Sequence, residues 1–197
     1  MLIFVTTKSL LENMKAPMSL LGWSARKIDR VVKSTLSAEA YALSGAVDHV
    51  TWLRLMLMLF VNPHMEWQKP ESLTEQLPHC TAIVDCKSLF DLISRTATPR
   101  CDEHRTTLEA LVIKQHLVQN MTPRWVPTNA MLADCLTKPM EASLLREILQ
   151  QAQYQIYDES KILQEKASQR LLRKQWTNHH TAPELSEKTH EQGAKST

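Results

Sequence analysis

Cys80-Thr-Ala-Ile-Val-Asp-Cys86, followed at once by Lys87-Ser-Leu-Phe-Asp-Leu-Ile-Ser94, decides the fold class of this chain. The first stretch is apolar on consecutive positions, as expected for a strand covered on both faces. It ends at Asp85, and the second stretch continues as a helix. Strand, acid and helix in succession put a carboxylate at the C-terminal edge of a sheet, where α/β proteins tend to carry function. Asp85 also suits the N-cap of the helix that starts near Cys86. A mixed α/β domain is the reading that follows.

Upstream lies a second acid, Glu39, within Ser34-Thr-Leu-Ser-Ala-Glu-Ala-Tyr-Ala-Leu-Ser44. From Leu36, the residues Ala40, Leu43, Val47, Val50 and Leu57 recur as a helical stripe. The pattern predicts a helix from about Ser37 to about Phe60 that stops before Pro63. Ser34, Thr35 and Ser37 precede it and suit caps for its free backbone N–H groups. Ala38, Ala42 and Ala46 run down another side, and Glu39 lies in that small-residue region. A carboxylate is costly there unless something pairs with it. The plainer reading is an acid that favours the dipole near a helix start. A third acid, Asp134, sits among apolar neighbours in Met131-Leu-Ala-Asp-Cys-Leu-Thr-Lys-Pro-Met140, in a helix that Pro139 ends or kinks.

The remaining segments fill in a sheet with flanking helices. Leu2-Ile-Phe-Val-Thr-Thr7 is β-rich, and Met18 to Ala25 reads as a second strand. The polar linker from Lys8 to Pro17 suits an antiparallel hairpin. Arg26, Lys27, Arg30 and Lys33 form a basic segment before the Glu39 helix; a solvated face is the default, and phosphate contact the second choice. Asn62 to Pro78, with three prolines, reads as a loop. A helical period begins at Asp102, and Thr122-Pro-Arg-Trp-Val-Pro-Thr128 reads as a short strand at a sheet edge. Glu141 to Gln151 is helical again. Residues 1–150 therefore read as one domain and 151–176 as a strand and polar helix beyond it. Residues 177–197 have almost no apolar content and read as a disordered tail.

The chain has 197 residues, of which 43% are hydrophobic, enough for one domain with a real core. A formal net charge of +2 means that any contact with nucleic acid must come from local basic patches. Cys80, Cys86, Cys101 and Cys135 include no CxxC pair, so neither a zinc set nor a secreted disulfide framework is indicated. Reduced thiols in an intracellular protein, cytoplasmic or nuclear, are the simpler reading. No stretch reads as apolar over the ~20 residues that a membrane-spanning helix needs.

Several segments in order resemble the ribonuclease H domain of copia-type retrotransposon polyproteins. They are Gly22-Trp-Ser-Ala-Arg-Lys27, Ser34 to Ser44, Trp52-Leu-Arg54, Ile83-Val-Asp-Cys-Lys-Ser88, and Trp125-Val-Pro-Thr-Asn-Ala-Met-Leu-Ala-Asp-Cys-Leu-Thr-Lys-Pro139. Together they span about residues 2 to 140, and the last is the most specific. The resemblance implies a ribonuclease H-like mixed sheet of five strands with flanking helices. It implies four acids holding two Mg2+ (or Mn2+) ions and cleavage of the RNA strand of an RNA–DNA hybrid. It also implies a parent polyprotein that includes a reverse transcriptase. Matched by motif, Glu39, Asp85 and Asp134 take the places of three catalytic, metal-binding acids. Arg26, Lys27, Ser34 and Thr35 become candidates for substrate contact.

The chain departs from that pattern at its start. The family's first acid lies on the first, central strand, and here Leu2 to Thr6 resembles the second strand and Met18 to Ala25 the third. No Asp precedes them. The implied domain is truncated at its N-terminus, with a gap in mid-sheet and impaired or lost cleavage. The alternative is a non-catalytic nucleic-acid-binding or interaction module.

Overall fold

The computed structural model describes residues 1–64, 76–156 and 158–180. At its centre, the Cys80 segment forms strand β3 (Cys80–Val84), which pairs in parallel with β4 (Met121–Trp125). Between them run α3 (Lys87–Ser94) and α4 (His104–Leu117). Covering on both faces is as expected, because successive side chains of β3 enter different clusters. Val84 and Ala82 join the cluster built by α3, α4 and the long helix α2 (Thr35–Val61), with Ala40, Leu43 and Val47 of α2 in contact. Ile83 packs instead against Leu10, Met18 and Tyr154. Two cores therefore meet at one strand.

The second core lies under the N-terminal hairpin. Strands β1 (Leu2–Thr6) and β2 (Lys15–Trp23) are antiparallel, with Leu2 opposite Trp23 and Thr6 opposite Met18. Their connection is not a plain linker: it contains the short helix α1 (Ser9–Asn13), which ends on Met14 in a left-handed conformation at φ 59°. That turn carries Leu10 into the core, 5% exposed. After α5 (Ser143–Gln151), β5 (Gln153–Gln155) pairs antiparallel with the start of β2. Met18 N–H donates to Ala152 O at 2.9 Å, and Ile156 N–H to Met14 O at 2.7 Å. This ladder draws residues past 150 into the first unit, which extends over Met1–Tyr157, so the boundary falls later than the sequence indicates.

The α/β class holds, but the strands do not form one sheet. Their orders are β1-β2-β5 and β3-β4, so β1 and β3 each have one edge with no ladder partner among the described residues. A sheet continues only where a strand relays the backbone hydrogen bonds to the next. No described strand does so between β1 and β3.

Helix α2 starts two residues before the expected Ser37. Ser34 is its extended N-cap, at φ −145° and ψ 159°, and accepts from Ser37 N–H at 3.1 Å. Contrary to the sequence expectation, α2 is long and apolar enough, by length and composition, to cross a membrane. The core helix of a folded domain passes the same test, and Ala40, Leu43 and Val47 are core residues here. The second unit contains α6 (Glu159–His180), with Leu171 and Leu172 exposed. Thr177 to His180 continue this helix, whereas the rest of the expected tail, and most of the loop before β3, lie outside the described residues.

Candidate functional site: an acidic cluster with a lysine

Each of the three sequence-selected acids is placed by a different piece of local structure. Glu39 sits in the second turn of α2, half-buried between the core residues Ser37 and Ala40. Asp85 follows the last residue of β3. It does not take the N-cap position of α3, which falls to Cys86, a residue without a capping side-chain bond. Two contacts tie the Asp85 turn to the end of β4: Trp125 Nε1–H donates to Asp85 O at 2.9 Å, and Val126 N–H donates to Val84 O at 2.9 Å. Trp125, only 5% exposed, is a core residue.

Asp134 lies in a 3-10 turn (Asp134–Leu136), not in the α-helix expected there. It lies between an earlier 3-10 turn (Thr128–Ala130) and Pro139, which cannot continue a helix hydrogen-bond ladder. The turn closes through Thr137 N–H and Lys138 N–H, which donate to Asp134 O at 3.0 and 2.9 Å. Asp134 is buried, and Lys138 Nζ donates to its Oδ2 at 2.6 Å.

Electrostatics shows that these groups share one neighbourhood. Burial pushes the Glu39 carboxyl above the ordinary carboxylate range, Asp85 and Asp134 add to the rise, and Lys138 opposes it. In turn, the hydrogen bond to Asp134 raises the Lys138 ammonium above the usual lysine range, with Asp134, Asp85 and Glu39 adding through their charges. Asp85 and Asp134, distant in sequence from Glu39, thus act on it, and all three act on one cation. The fold brings them together.

No family model, curated protein or solved structure matches this chain. What the cluster can hold is therefore a question of its donors. Magnesium needs near-octahedral oxygen donors at about 2.0–2.1 Å. Among the described residues, no three Asp, Glu, His or Cys side chains are grouped so as to hold a metal ion. One oxygen of Asp134 is already bonded to an ammonium. As arranged, the residues do not fit a two-ion centre.

The proposed substrate contacts divide in two. Arg26 and Lys27 are exposed in the link from β2 to α2, as is Lys33. Thr35 is also exposed, at the first position of α2. Ser34, by contrast, is committed to the structure, because besides capping α2 its hydroxyl donates to Glu103 Oε2 at 3.3 Å. Ser37 donates to the other oxygen of Glu103, also at 3.3 Å, so one carboxylate bridges two serines at the start of α2. Arg30 is likewise engaged, paired with Glu109 at 2.9 Å and lying 3.9 Å from the ring centroid of Tyr41. Lys138 was missed from sequence, although its spacing of four from Asp134 is a readable sign of a pair.

Proposed function

We propose that this chain is a ribonuclease H-like module of retrotransposon origin that binds RNA–DNA hybrid and has lost efficient cleavage of the RNA strand. The observation that carries this reading is that Asp85 and Asp134, from a strand end and a late turn, both act on Glu39 in α2 and that all three act on Lys138. The topology supports it as well. The three-stranded sheet β1-β2-β5 and the parallel pair β3-β4, in which β1 and β3 each have an edge with no ladder partner among the described residues, are compatible with a ribonuclease H-like sheet that lacks a strand between them. In this reading the chain derives from a polyprotein whose reverse transcriptase makes the hybrid, and Arg26, Lys27 and Lys33 provide backbone contacts.

The donor arrangement supports the loss of cleavage. Hydrolysis of a phosphodiester needs the attacking and departing oxygens held by a cation site of fixed shape, and a misplacement of 1 Å costs about 100-fold. A cluster with too few converging donors and one oxygen occupied by Lys138 falls short of that. An assay with labelled RNA–DNA hybrid, Mg2+ and an Asp85→Asn control tests the proposal. Expected are salt-sensitive binding and cleavage no faster than the control. Magnesium-dependent cleavage that the substitution abolishes overturns the loss of activity, and equal affinity for hybrid and an unrelated polyanion overturns the nucleic-acid reading.

A further inference from the structure

The C-terminal half of α2 lacks the polar side that a surface helix carries. Between Asp48 and Glu66, Arg54 is the only Asp, Glu, Lys or Arg, and its guanidinium is turned inward onto the carbonyls of Pro78, Gln119 and Asn120. Arg54 is also the last buried residue of α2. Around it, Trp52, Met56 and Phe60 follow one another at steps of four and are 56%, 38% and 87% exposed. Leu57 and Val61 are exposed in the adjoining row, which begins at the half-buried Leu53. Side chains four apart form a ridge on a helix surface, so the two rows are neighbouring ridges with a groove between them. A whole aromatic side chain offers about 150–250 Å², and the exposed parts of these apolar residues together offer roughly 500–600 Å². That is at the upper limit, about 600 Å², of the largest apolar patch on a typical monomer.

We propose that this face of α2 is the contact through which two copies of the chain form a two-fold symmetric dimer, α2 against α2. Ridges at steps of four pack into the grooves between the same ridges of a second helix, at a crossing angle of about −50°. A two-fold axis presents the same patch from both copies. Roughly 1,000–1,200 Å² is then buried before the polar rim is counted, about the least that a specific interface needs. Aromatic residues and methionine are enriched in the core of such contacts, and lysine, aspartate and glutamate are depleted there. A lipid surface fits the face less well, because helices that lie on membranes carry Lys and Arg beside the apolar side, and none is exposed here between Asp48 and Glu66. Leu55 to Val61, the apolar run after Arg54, is about 10 Å of helix, against the ~30 Å of a bilayer core. Helix α6 of a second copy is a poorer match, since its Leu171 and Leu172 stand among Arg170, Arg173 and Lys174. Trp52 lies about 20 Å along α2 from Glu39, so pairing there is independent of what the acidic cluster binds.

The test is sedimentation equilibrium of the full chain without detergent, across micromolar concentrations, where a dimer is expected. Trp52→Lys/Phe60→Lys sets like charges against each other across the contact and is expected to raise the dimer dissociation constant about 30-fold or more. Val5→Lys at the free edge of β1 and Leu172→Lys on α6 are expected to leave it unchanged. A monomer at every concentration overturns the proposal, as does a dimer that survives the double substitution. Dimerisation lost with Val5→Lys or Leu172→Lys moves the contact to the strand edge or to α6 and overturns it too. So does a monomer that co-sediments with phosphatidylcholine vesicles and ceases to do so in the double variant, because the face then meets lipid. Far-UV circular dichroism checks the fold of each variant. If the double variant unfolds, Phe60→Ser alone provides the comparison: weaker dimerisation is expected, and an unchanged dissociation constant overturns the proposal.

Discussion

Replacing Arg54 with methionine is expected to lower the stability of the first unit by about 3 kcal/mol. Arg54 comes from the middle of α2 and is only 5% exposed. Its Nε–H donates to Pro78 O at 2.7 Å, and Nη2–H donates to Gln119 O at 2.9 Å and Asn120 O at 3.2 Å. Those carbonyls belong to the two segments that enter β3 and β4, so one guanidinium sets the start of both parallel strands. Asn120 needs that support: it has a left-handed backbone at φ 57°, and its carbonyl also accepts Cys80 N–H at 3.1 Å. Methionine keeps most of the stem volume but leaves Pro78 O and Gln119 O without this donor and Asn120 O with Cys80 N–H alone. Part of the loss is offset, because Nη1 is buried without a partner and that cost disappears with it. Urea denaturation measures the net effect, and a change below about 0.5 kcal/mol, the range of an ordinary surface substitution, contradicts the assignment.

A second large effect is expected at Leu89, where alanine costs about 3 kcal/mol. Leu89 has 0% exposure in the first turn of α3 and packs in the cluster shared by α2, α4 and β3. Truncation removes several buried methyl and methylene groups, and the surrounding helices cannot collapse fully onto the space. The change also loosens the turn that presents Asp85, four residues earlier. Leu108→Ala serves as the control: Leu108 is 62% exposed on α4 and is expected to change stability by less than about 0.5 kcal/mol. Equal effects at the two positions contradict the placement of the core.

The parts of the fold that were legible in sequence are those where one local rule acts alone. The continuous apolar run of Cys80 to Val84 identified β3 because only a strand with two covered faces needs it. The stripe through Ala40, Leu43 and Val47 identified α2 for the same reason, with errors confined to its ends. Helix α1 escaped because five residues are too few to show a period. The apolar neighbours of Asp134 suggest a helix, yet proline and turn closure prevail. Arg54 stands as a lone charge in an apolar part of α2. Its role comes from carbonyls 24 to 66 residues away along the chain, which no local pattern encodes. The inclusion of β5 in the hairpin sheet is a long-range pairing of the same kind.

The divided sheet has a physical consequence. Unpaired strand edges are templates for association, and β1 carries Val5 at 46% exposure beside its free edge. Such an edge is tolerable only in a chain that is dilute or covered.

Everything said of the acidic cluster depends on Glu39, Asp85 and Asp134 sharing one neighbourhood, and the titration of Glu39 reports on that directly. A carboxyl whose folded pKa is raised adds nothing to stability below its unfolded value, near 4.5; its destabilising effect grows as the pH rises from there and is complete above the folded value. Glu39→Gln is therefore expected to stabilise the protein at pH 7 and to make little difference at pH values below the ordinary carboxylate range. The decisive measurement is the Glu39 side-chain carboxyl followed by NMR through a pH titration, in the natural chain and in Asp85→Asn. The account predicts a midpoint above the ordinary carboxylate value that falls when the Asp85 charge is removed. An ordinary midpoint, indifferent to Asp85→Asn, would contradict it.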